Sequence, residues 1–114
     1  MRDPGYPEAL SALSDCLSRL VVRGAVGSTS ARVAEACETT LKAAALGSDN
    51  GSILASAAWT ISMLGGLHLQ GREFAERALR LHPNSADVRT ACGWSFSFGG
   101  EPETALEHFE VARR

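Results

Sequence analysis

The chain carries three histidines and three cysteines, the residue types most often used to hold a metal or attack a substrate. His68, His82 and His108 are too far apart to form the i, i+4 pair with which one helix face grips zinc. Cys16, Cys37 and Cys92 are odd in number and contain no CxxC spacing. They read as three small buried thiols in a reducing compartment. Cys92 precedes Gly93-Trp94 but falls at a packing position inside a helical pattern, a poor place for a nucleophile. Glu101, Glu103, Glu107 and Glu110 could suggest acid–base work. They fit better as the solvated face and favourable N-terminus of one helix. Gly65-Gly66 and Gly99-Gly100 lack the lysine-serine and strand context of a phosphate cradle, and read as turns. The expectation is a chain with no catalytic residue, no metal and no cofactor.

The elements that carry these residues are nearly all helical. Leu10, Leu13, Leu17, Leu20 and Val21 recur at spacings of three and four within 7–22, one face of a helix. Pro7 suits its first turn. Gly24 and Gly27 break the pattern, and GAVGSTS reads as a loop. A second helix is expected over 30–46, with Val33, Ala34, Cys37, Leu41, Ala44 and Ala45 on its apolar side. It stops at the turn formers 47–51. A third helix is expected over 52–64, ending at Gly65-Gly66, and a fourth over 69–81, ending before His82-Pro83. Ser85 is the expected N-cap of a fifth over 86–98, and Pro102 opens the sixth. Convincing strand alternation is absent.

Composition agrees with one ordinary domain. The 114 residues are 45% hydrophobic and 21% charged, with net charge −2. A chain of this size buries about two-thirds of its unfolded surface, enough for a core without metal or disulfide support. Residues 67–114 hold six basic and seven acidic residues, and residues 1–66 hold five and six. With no basic stripe, nucleic acid is not an expected partner. No apolar run approaches the ~20 residues of a membrane span, and MRDPGYPE is polar and turn-like, so the expected location is the cytoplasm.

The helices repeat. Slid along by 34 residues, Gly65-Gly66 falls on Gly99-Gly100, Gly71 on Ala105 and Ala78 on Ala112. A helix pair recurring at this period resembles the tetratricopeptide repeat, which favours small residues at positions 8, 20 and 27, aromatics at 11 and 24, glycine near 15 and proline at 32. With Ala86 as position 1, Gly93, Phe96, Gly100, Ala105, Phe109 and Ala112 fall at 8, 11, 15, 20, 24 and 27. With Ser52 as position 1, Gly66, Gly71, Ala78 and Pro83 match, but position 8 is Trp59 and position 24 is Ala75. Volume exchanged between helices is tolerated better than net gain or loss, so Trp59 is expected to lean into the space left by Ala75 and Gly71. The first repeat is looser. Asp3-Pro4-Gly5-Tyr6 resembles the end of a preceding unit, and about eleven extra residues, 22–32, separate its two helices.

The resemblance implies an all-α, right-handed solenoid of three repeats, about 4–49, 50–83 and 84–114, whose helix pairs share one core. The end at Ala112-Arg113-Arg114, without a polar capping helix, is read as a cut from a longer array. The resemblance also implies a concave groove lined by positions 2, 5, 9, 12 and 13 of each first helix. These are Glu8, Ser11, Asp15, Ser18 and Arg19, then Ile53, Ser56, Thr60, Met63 and Leu64, then Asp87, Thr90, Trp94, Ser97 and Phe98. The expected partner-binding set is Thr60, Met63, Leu64, Asp87, Thr90, Trp94 and Phe98. The asparagines and lysines that clamp a terminal carboxylate in some co-chaperone arrays are missing. Trp94 and Phe98 have two readings, groove anchors or packing against a neighbouring element.

A narrower likeness lies in the wording PNSA, GW and GEPETALEHFE. It is similar to repeats of bacterial signalling proteins that place an adenylate or guanylate cyclase domain, or a winged-helix domain, ahead of the array. That likeness implies an interaction or sensory scaffold that binds a peptide, a helix or a second copy, without activity of its own. The competing expectations are the non-catalytic regulatory segment of a nucleotide cyclase and a structural dimerisation module.

Overall fold

The structure, a computed structural model, describes residues 6–23 and 30–114. Among them are six helices and no strand: α1 (Tyr6–Val22), α2 (Ser30–Leu46), α3 (Gly51–Met63), α4 (His68–Leu81), α5 (Ala86–Phe98) and α6 (Pro102–Arg113). The expected turns before Tyr6 and over residues 24–29 lie outside the described residues.

The termini form where the sequence signals them. The Ser85 hydroxyl accepts from the Val88 N–H at 3.3 Å, satisfying a donor that the first turn of α5 leaves unpaired. Asn50 does the same for Ile53 at 3.2 Å and opens α3, a cap not anticipated within its turn cluster. Gly100 adopts φ 82°, which lets the Glu101 N–H return to the Phe96 carbonyl at 2.9 Å. This is a closure that a residue with a side chain would strain.

The helices pack as three pairs, α1 on α2, α3 on α4 and α5 on α6. α3 also lies against α1, α2 and α5, while α4 lies against α5. The main core joins Leu54, Ala57 and Ala58 of α3 to Ala75 and Ala78 of α4 and to Val88, Cys92 and Phe96 of α5. Small residues set the spacing. A Cβ at Gly71 would collide with the Ser62 hydroxyl and lie 3.1 Å from the Ala58 carbonyl, so α4 rests almost backbone to backbone on α3.

Two expected faces are corrected. On α1, Leu17 is buried, but Leu13 and Leu20 are exposed, and Ser11, Ser14 and Ser18 turn inward. Ser14 donates to the Ala36 carbonyl at 3.1 Å and Ser18 to the Ser14 carbonyl at 2.9 Å, so these hydroxyls are buried without loss. On α2 the buried residues are Ala36, Thr40, Ala43 and Ala44, and not Ala34 or Ala45. Small serines and alanines let the two helices approach where bulky leucines would hold them apart. The extra length of the first unit also goes partly into helix, since α1 and α2 have 17 residues each against 13 in α3.

Candidate binding groove

α1 and α5 flank α3, and the three enclose a groove of about 770 Å³. Its floor is Ser52, Ala55, Ser56, Trp59 and Met63 of α3, a stripe at spacings of three and four. One wall is Asp15, Arg19, Val22 and Arg23 at the end of α1. The other is Asp87, Thr90, Ala91, Trp94 and Phe98 of α5.

The apolar content is concentrated in four side chains. Trp59 is half-buried on the floor. Trp94 is 46% exposed, stacks on Phe98 at 6.0 Å and meets Phe109 of α6 edge-on at 5.3 Å. Trp94 thus packs against α6 of its own helix pair and also lines the groove. Met63 adds a polarizable chain that adapts to irregular shapes.

The charges are unequal in freedom. Asp15 accepts from the Ser56 hydroxyl at 2.6 Å across the α1–α3 junction, which fixes the carboxylate. Neither the Arg19 nor the Arg23 guanidinium has an ion-pair partner among the described residues. The wall formed by α1 and Arg23 thus offers two cations without an ion pair among the described residues, opposite an aromatic wall.

Met63, Asp87, Thr90, Trp94 and Phe98 stand where the sequence placed them, along one groove. Thr60 and Leu64 do not. Thr60 is fully buried, turned about 100° round the helix from Trp59. Leu64 is the C-cap of α3, where the helix is already ending. Of the first-repeat positions, Asp15 and Arg19 line the groove, whereas Ser11 and Ser18 are buried and Glu8 accepts from the Asn50 amide at 3.3 Å. Ile53 is buried against Gly47.

Trp59 was the residue missed. It does not fill the space beside Gly71 and Ala75, because Ser62 and Ala58 occupy the contact with Gly71. The stripe through Ser52, Ser56, Trp59 and Met63 was legible as a helical face. Assigning Trp59 to a packing position of the repeat register concealed it.

The other chemistry-bearing residues do not converge. Among the described residues no group of three or more histidines, cysteines or acids could hold a metal ion. Cys92 is buried, its thiol is pushed up to about 12 by burial, and it donates to the Ala75 carbonyl at 3.5 Å. Cys16, expected to be buried, is exposed. His68 opens α4 and His82 closes it, while His108 stacks on Phe96 at 5.1 Å. No helix among the described residues is long and apolar enough to cross a membrane. No protein-family model matches the sequence, and no curated protein matches it.

Proposed function

We propose that the chain is a right-handed solenoid of three tetratricopeptide-like repeats and that its groove seats a segment of another protein. The observation that carries this is the convergence of Trp59, Met63, Trp94 and Phe98 with Arg19 and Arg23 around one groove. Its volume falls within the ~300–1,000 Å³ of ligand pockets, and large rigid aromatics with arginine dominate binding energy at protein interfaces. The packing supports the solenoid reading, since α1, α3 and α5 are successive neighbours and α2 and α4 each pack on the first helix of the next pair.

The partner is a peptide or helix that brings an apolar side chain to the aromatic wall and a carboxylate to the arginines. The likeness of its wording to bacterial signalling repeats supports reading it as a cytoplasmic scaffold, the non-catalytic part of a cyclase or winged-helix regulator.

Both tryptophans of the chain line the groove, so their emission reports occupancy directly. Peptides selected from a displayed random library on the intact chain should be rich in acidic and aromatic residues and should shift that emission. Trp59→Ala should weaken them about tenfold or more while leaving the helical circular dichroism unchanged. Selected peptides that bind Trp59→Ala as tightly as the parent would remove the groove from consideration.

A further inference from the structure

α6 exposes a second apolar face outside the groove. The 34-residue register shows what such a face is for. On α4 the flank that holds α5 is built from Arg72, Ala75 and Leu79. Arg72 lies over the Phe96 ring and pairs with Glu101 at 2.9 Å, Ala75 accepts from the Cys92 thiol, and Leu79 packs on the shared core. The positions 34 later on α6 are Leu106, Phe109 and Arg113. This flank is more apolar than its counterpart and carries no helix among the described residues. Leu106 is 61% exposed and Phe109 half-buried.

We propose that this flank binds a second copy of the same chain, α6 antiparallel to α6 about a two-fold axis between Leu106 and Phe109. The charge along α6 selects that occupant. Glu101 and Glu103 stand at its start and Arg113 and Arg114 at its end, with Glu107 and the Arg113-paired Glu110 between them. Antiparallel pairing sets Leu106 against Phe109 of the second copy and Arg113 near Glu103 of the second copy. Parallel pairing would bring like charges together. A two-fold makes the same patch serve both chains and closes the assembly at two. Arg113 already touches Glu110 at 2.7 Å, yet its side chain stays 77% exposed and free to engage a second acid.

Sedimentation velocity on the full chain, from micromolar to near-millimolar concentration, tests this. The expected result is a monomer–dimer equilibrium. Leu106→Glu, at an exposed site that folding does not need, should shift it towards monomer by about tenfold or more in dissociation constant. Glu103→Arg should weaken the dimer, most at low salt, and adding Arg113→Glu in the same chain should restore it. A strict monomer overturns the proposal and leaves the face to a different protein or to further helices. Open-ended growth overturns it in favour of head-to-tail stacking onto exposed Leu13 and Leu20 of α1. A dimer indifferent to Leu106→Glu overturns it as well. Leu106 does not line the groove and Trp59 does not lie on α6, so peptide binding and dimerisation fail independently.

Discussion

A Cβ atom at Gly93 would lie 2.6 Å from Cε1 of Phe109. The glycine lets the aromatic ring of α6 sit directly on the backbone of α5, and Trp94 then meets that ring edge-on. Gly93→Ala should therefore destabilise the fold by about 1–3 kcal/mol, outweighing the roughly 1 kcal/mol that alanine gains in helix propensity. In a Phe109→Leu background the penalty should shrink. Urea unfolding of the four chains decides it, and a stabilising Gly93→Ala would refute the close approach.

Ser62 and Ser95 share a hydrogen bond of 2.9 Å, buried between α3 and α5. Replacing either serine by alanine strands the other hydroxyl away from water, at about 1–3 kcal/mol. Replacing both removes the stranded group, so the double variant should cost less than the sum of the singles. Strictly additive losses in a denaturation cycle would show that the two hydroxyls do not pair.

Thr40 and Thr60 bury hydroxyl oxygens that have no hydrogen-bond partner among the described residues. Valine has nearly the same shape without the polar atom. Thr60→Val should raise the unfolding free energy by up to about 1 kcal/mol and leave peptide binding unchanged, because Thr60 does not line the groove. A marked loss of stability would mean that the hydroxyl is satisfied in solution.

His108 titrates below its ordinary range, chiefly because it is partly buried and secondly because the Arg89 guanidinium is beside it, with Glu107 opposing. Arg89 Nη1 lies 3.0 Å from His108 Nδ1, which fits a neutral ring accepting at Nδ1. The unfolded chain then takes up its proton before the folded one does. Stability is full above the ordinary histidine value of 6.5 and falls as pH drops from there to the lower folded value. Denaturation midpoints should decline over that window, and less so in His108→Gln. An NMR titration placing His108 above 6.5 would reverse the sign and refute this.

The helices were legible because their boundaries are written in residues with one dominant local effect. Pro83, Ser85, Gly66 and Gly100 each stop or start the backbone whatever surrounds them. The inward faces of α1 and α2 were not, because hydrophobicity draws attention to Leu13 and Leu20. The close approach of the two helices is governed instead by Ser14 and Ala36, whose small size is the relevant property. The groove was half legible. Trp94, Met63 and Phe98 followed from register, while Thr60 and Trp59 exchanged roles because one step along a helix turns a side chain through about 100°.

The many-sided packing of α3 has a consequence for motion. It touches α1, α2, α4 and α5, whereas among the described helices α6 rests on α5 alone. Amide protons of α6 can exchange through a local opening that leaves the other helices in place, while those of α3 wait for nearly the whole chain to come apart. The floor of the groove and its α5 wall, which share the core through Leu54, Val88, Cys92 and Phe96, are thus its slowest parts, while α1 lies against α2 and α3. Of the three helices around the groove, α1 is the one whose opening leaves the bed still.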